Sequence, residues 1–139
     1  MVFYKVVLRF SGSSYLGWQK QKDFHPTVQG ELEKRLSEIF KETIKTIGSG
    51  RTDTGVHSLS HTVRIQAPFR IEASGLVSAL NSKLPLDIEC LSAEFCDESF
   101  RPTNDALKKE YRYLFTTLKR PGPFQQGLMA NCPYDLDFE

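Results

Sequence analysis

Several things are scarce in this sequence, and each scarcity narrows what the chain can be. Its 139 residues include only three cysteines, Cys90, Cys96 and Cys132. They are odd in number and form no C-x-x-C pair, which leaves a reduced, cytoplasmic protein as the expectation. No apolar run approaches the roughly 20 residues that a membrane-spanning helix needs. The N-terminus enters Val2-Phe3-Tyr4-Lys5 directly, without the basic, apolar and small-residue regions of a secretory leader. Internal repeats and low-complexity segments are also missing. What is present, 40% hydrophobic and 25% charged residues, suits a soluble globular domain that can bury a core without disulfides or metals.

Net charge is close to balance at +1, but the charge is unevenly spread. Residues 1–70 carry eleven Lys/Arg against six Asp/Glu, and residues 71–98 carry one against six. Residues 99–125 then carry six against two, and the last fourteen residues add three acids. Two basic blocks around an acidic one suit a protein that holds a polyanion on one side. Ordinary surface charge gives the same pattern.

Hydrophobic periodicity orders the chain. Tyr4, Val6, Leu8 and Phe10 alternate with Lys5 and Arg9, which predicts a half-buried strand over Val2–Phe10. After a Gly/Ser loop, Thr27 is a candidate N-cap, and Val28, Leu32, Leu36, Ile39 and Phe40 follow helical spacing. Glu31 and Glu33 lie near the favourable N-terminal end. Residues 43–47 predict a short strand, and Val63, Ile65 and Ala67, alternating with Thr62, Arg64 and Gln66, predict another that stops at Pro68. Leu76, Val77, Leu80 and Leu84 mark a second helix; residues 88–95 and 110–118 are the remaining strands. The order β-α-β-β-α-β plus an extra strand is the ferredoxin-like split arrangement, an α+β fold whose antiparallel sheet carries two helices on one face. The expected division is a domain over residues 1–120 and a Pro/Gly/Gln-rich connecting segment over 121–139.

Between the second and third strands, Gly48-Ser49-Gly50-Arg51-Thr52-Asp53-Thr54-Gly55-Val56-His57 packs an acid, two candidate bases and glycines into ten residues. Asp53 in such a turn is expected at a surface, with Arg51 placed to keep it ionised, as covalent catalysis by a carboxylate requires. An Asp that merely caps its own turn fits the same residues. A phosphate-binding P-loop is excluded, because no Lys follows the second glycine. Asp53-Thr54-Gly55 spells the aspartic-protease triplet, but two helices are out of place in that all-β fold. His57 and His61 are four apart, yet on a strand that spacing is about 13 Å, which argues against a shared metal.

Five ordered stretches resemble one family. Gly50-Arg51-Thr52-Asp53-Thr54-Gly55-Val56-His57 is similar to the G-R-T-D-A-G-V-H signature of TruA-type tRNA pseudouridine synthases. Gly12-Ser13-Ser14-Tyr15-Leu16-Gly17-Trp18-Gln19-Lys20-Gln21 resembles the family's G-S-x-Y-x-G-W-Q-x-Q. Thr27-Val28-Gln29 with Leu32-Glu33 resembles its first-helix entry. Asn81, Leu84, Pro85, Asp87 and Ile88 match N-x-x-L-P-x-D-I, and Lys109-Glu110-Tyr111-Arg112-Tyr113 is similar to its basic Y-x-Y strand.

The resemblance implies an isomerase that converts uridine to pseudouridine in the anticodon stem-loop of tRNA, without a cofactor or metal. Asp53 matches the nucleophile. Arg51 matches the arginine that pairs with it and helps hold the target nucleotide out of the stack. Tyr111 matches the tyrosine that packs on the flipped base and assists proton transfer. Strand alternation puts Tyr111 and Tyr113 on one side, with Tyr113 assigned to core packing and Arg112 on the other side. Lys20, Lys108, Lys109 and Arg112 are candidate RNA contacts; Lys119 and Arg120 are further ones. Trp18 is read as structural, and Tyr15 as core or RNA-facing.

Departures from the family pattern are Ser11 in place of Asp, His61 in place of Gln, and Arg101-Pro102-Thr103-Asn104 in place of H-A-R-F. The family also has a second α+β half beyond a region of this length and forms homodimers. The chain therefore reads as an N-terminal half with little activity alone. The alternative is a non-catalytic RNA-binding α+β module, against which stands the absence of an aromatic RNP1 pattern.

Overall fold

The computed structural model describes residues 1–23, 25–132 and 134–137. Two compact units divide the chain, Met1–Ala106 and Leu107–Glu139.

In the first unit the order is β1 (Val2–Phe10), α1 (Val28–Phe40), β2 (Thr46–Gly48), β3 (Ser58–Ala67), α2 (Ala73–Lys83) and β4 (Ile88–Phe95). The strands form one antiparallel sheet in the order β2-β3-β1-β4. This is the expected ferredoxin-like arrangement. Alternation drives it: Tyr4, Val6, Leu8 and Phe10 of β1 and Val63, Ile65 and Ala67 of β3 are all buried. They meet Val28, Leu32, Leu36 and Phe40 of α1 and Leu76 and Leu80 of α2. Each buried Val, Leu, Ile or Phe among them contributes about 1.5–3 kcal/mol on leaving water.

Local chemistry sets the helix ends. Thr27 holds an extended backbone and its Oγ1 accepts from the Gly30 N–H at 3.1 Å, the expected N-cap. α2 stops before Pro85, at Leu84, which turns to extended backbone. Tyr4 is fully buried because its hydroxyl is satisfied twice, donating to the Ile71 carbonyl and accepting from the Ile71 N–H, both at 2.7 Å.

Two polar residues sit deeper than the sequence pattern indicates. Glu33, read from the sequence as favouring the N-terminal end of α1, is buried. Its Oε1 accepts from the Thr46 N–H at 2.8 Å, and its Oε2 meets the Lys20 ammonium at 3.1 Å. Arg64, on the polar side of β3, is also buried. Its guanidinium lies 4.9 Å from the Phe3 ring centroid and donates to the carbonyls of Glu98 and Phe100. Residues 98–100 thus cover part of the sheet face opposite the helices.

The second unit corrects one expectation. Of the strand predicted over residues 110–118, only Phe115–Thr116 (β5) is in a strand, paired in parallel with Ala130–Asn131 (β6). Residues 110–114 are not in regular structure, so strand alternation does not place Tyr111, Arg112 and Tyr113. Tyr113, assigned to core packing, is 86% exposed. The physical reason is a missing neighbour: a strand must bond to another strand, and among the described residues only the Leu114 carbonyl, at the end of 110–114, receives a strand N–H, that of Ala130 at 2.8 Å.

Candidate active site

Two loops of the first unit lock together, and Asp53 stands on one of them. The loop between β1 and α1 carries Gly12, Tyr15, Gly17 and Trp18; the loop between β2 and β3 carries Arg51 to His57. Trp18 donates its N–H to the Thr52 carbonyl at 3.1 Å, and Gly55 donates its N–H to the Tyr15 carbonyl at 3.3 Å. The backbones are so close that a Cβ on Gly12 would lie 2.0 Å from the Val56 carbonyl oxygen. At Gly17 a Cβ would come within 2.5 Å of the Thr52 carbonyl oxygen, and its φ of +85° is itself unfavourable for other residues.

Within the second loop, Val56 donates its N–H to the Asp53 carbonyl at 3.2 Å, closing a four-residue turn. Gly55, at the third position, has φ of +80°, as a type II turn demands there. Asp53 is therefore the first residue of a tight turn, exposed, as the Gly-rich spacing predicted. Arg51 is exposed as well. Among the described residues Arg51 and Asp53 form no ion pair or hydrogen bond with each other. Both groups are open to water here, where an exposed pair gains only about 0–1 kcal/mol.

The inner ends of the loops are anchored in the core. Trp18 is 1% exposed, as its structural reading anticipated, and its ring lies 4.2 Å from that of His61. Phe10 closes the cluster at 6.3 Å from Trp18. Tyr15 also belongs to the core; its hydroxyl donates to Asp87 Oδ1 at 2.7 Å. Burial and then the Asp87 carboxylate raise its pKa above the ordinary tyrosine value. His61 sits within β3 and His57 before it. Among the described residues no group of three or more His, Cys, Asp or Glu is placed to hold a metal.

Thr103, at the register of the family's arginine, donates from Oγ1 to the Gly48 carbonyl at 3.3 Å, just ahead of the Asp53 loop. Lys20 lines a cleft of about 340 Å³ at the start of α1, with His25, Lys34, Asp23 and Glu31. Cations and carboxylates are mixed there, and the Lys20 ammonium is already shared with Glu33. In the second unit Tyr111 is 74% exposed, and Lys108, Lys109 and Arg112 are exposed beside it in sequence. The Arg112 guanidinium pairs with Glu110.

The sequence missed the mutual support of the two loops. The signal was present in Gly12 and Gly17, whose spacing answers a facing backbone. Glu33 and Arg64 carried no such signal.

Comparison with known proteins completes the picture. The profile of the tRNA pseudouridine synthase family matches residues 6–102. The chain is 38% identical over 140 residues to tRNA pseudouridine synthase A of Lacticaseibacillus casei, covering 100% of this chain and 56% of that protein. It is 35% identical over 137 residues to the protein of that name from Latilactobacillus sakei, and 36% over 137 residues to that from Bacillus licheniformis, covering 55% of each. This chain thus spans about 55% of the length of these curated relatives, and it belongs to the tRNA pseudouridine synthase family.

Proposed function

We propose that this chain is the nucleophile-bearing part of an enzyme that isomerises uridine to pseudouridine in the anticodon stem-loop of tRNA. The observation that carries the reading is Asp53 itself: an exposed carboxylate opening a tight turn whose backbone is clamped by a second loop. A nucleophile needs that combination of access and fixed direction.

Asp53 supplies the attacking carboxylate, which forms a transient bond to the target nucleotide that breaks again before the product leaves. The N1–C1′ glycosidic bond of the target uridine breaks, the uracil turns within the site, and a C5–C1′ bond forms. The proton on C5 leaves to solvent and N1 gains one, so the product is an isomer of the substrate and no cofactor is consumed. Arg51, two residues from the nucleophile, pairs with Asp53 once RNA displaces water and holds the nucleotide out of its stack. Tyr111 offers an exposed ring for the flipped base, at roughly 1–3 kcal/mol of stacking. Lys20, Lys108, Lys109 and Arg112 supply phosphate contacts.

The relatives' extra length corresponds to a second half that forms the far wall of the cleft and supplies electrostatic preorganisation. On this reading residues 1–120, the Met1–Ala106 unit and the start of the second unit, belong to this half, and 121–139 lead to the other. The same resemblance supports a cytoplasmic, homodimeric full-length protein. Tritium release from C5-labelled uridine in tRNA tests the reading: the full-length protein is expected to release it and leave pseudouridine in the anticodon stem-loop. Binding of tRNA without release would favour the RNA-binding module instead.

A further inference from the structure

His57 closes the Asp53 loop, and its side chain is committed to the facing loop. Its Nδ1 lies 2.9 Å from the backbone nitrogen of Gly12. A backbone N–H only donates, so Nδ1 is the acceptor and a neutral ring carries its proton on Nε2. Gly12 also lies against the Val56 carbonyl, one position before His57, with no room for a Cβ between them. The two loops are therefore tied on both sides of the nucleophile. Trp18 to Thr52 is the tie before Asp53, Gly55 to Tyr15 is the tie within its turn, and Gly12 to His57 is the tie after it. The first two are bonds between backbone groups. The third depends on one side-chain acceptor at one position.

We propose that His57 is a positioning residue for Asp53: its Nδ1 anchors the Gly12 backbone and so fixes the direction in which the turn presents the carboxylate. The proposal rests on the reading of Asp53 as nucleophile. Removing the acceptor strands the N–H of buried Gly12 and frees the end of the turn, so the aim of Asp53 is lost while the RNA-binding surface is not. The effect belongs in kcat more than in KM, because aim matters at the bond-making step.

The test uses full-length protein and single- and multiple-turnover C5-tritium release from tRNA, with His57→Ala, His57→Asn, His57→Gln and Asp53→Asn side by side. Asn carries its Oδ1 one bond from Cγ, where His carries Nδ1, whereas Gln carries its amide one carbon further out. His57→Ala and His57→Gln are expected to lose roughly tenfold to a hundredfold in kcat with KM nearly unchanged. His57→Asn is expected to recover most of that loss. A packing role alone would show in thermal stability without separating Asn from Gln in kcat. Equal kcat for Asn and Gln, or wild-type kcat for His57→Ala, overturns the proposal. If His57→Ala does not fold, the Asn and Gln pair decides. An inactive Asp53→Asn beside an unimpaired His57→Ala defeats this proposal alone; an active Asp53→Asn defeats the nucleophile reading with it.

Discussion

Gly17 shows how much a single hydrogen atom in place of a side chain can decide. Its left-handed backbone and the Thr52 carbonyl 2.5 Å from where a Cβ would stand are independent reasons for glycine. Gly17→Ala is expected to cost roughly 1–2 kcal/mol from backbone strain alone, with the steric clash adding to it. The urea midpoint should fall with an unchanged slope, and tritium release should fall with it. Cys90 makes a prediction of a different kind. Burial pushes its thiol up from 9.0 to about 11. The folded state keeps this proton to higher pH than the unfolded chain, so its contribution is intact below about pH 9 and is lost as pH rises towards 11. The loss is on the order of 2–3 kcal/mol. Urea unfolding between pH 8 and 11 checks it, and Cys90→Ala should flatten the dependence. Tyr15, raised by its burial, acts in the same direction above pH 10. At this scale the sequence was legible where one residue type answers one demand. Asp53 at a surface turn and Trp18 in the core are such cases. Arg64 was not, because its burial depends on residues 98–100 folding back over the sheet.

The elements follow period and punctuation closely: period two for β1 and β3, helical spacing after a Thr cap for α1, and proline beyond the end of α2. Where an element depends on a partner, local pattern is a poor guide. Residues 110–113 have the composition of a strand and pair with no strand among the described residues. Glu33 is the converse: a residue of surface type drawn inside because β2 brings the Thr46 N–H to it. With its pairing to Lys20, that contact links α1, β2 and the loop leading into α1. Glu33→Ala should destabilise by about 1–3 kcal/mol, since it strands a buried N–H. Lys20→Ala should cost less than about 1 kcal/mol, since its ammonium is more than half exposed. Urea titrations of the two variants separate these cases; equal losses would place the ion pair, not the Thr46 bond, at the centre of the network.

For the whole molecule, the first unit is a scaffold whose two halves of function are built differently. Its sheet and helices are ordinary ferredoxin-like packing and carry no chemistry of their own. The chemistry we propose lies in loops that the scaffold brings face to face, and in the sequence only the family resemblance set Asp53 apart from an exposed, turn-capping aspartate. The ties from Gly12, Tyr15 and Trp18 give that assignment a physical basis, since they hold the turn that the carboxylate projects from. The most direct test is Asp53→Asn in the full-length protein, which keeps shape and turn but removes the proposed nucleophile. Binding to tRNA should stay near wild type, while tritium release from C5-labelled uridine should disappear. Release at the wild-type rate by Asp53→Asn would contradict the account.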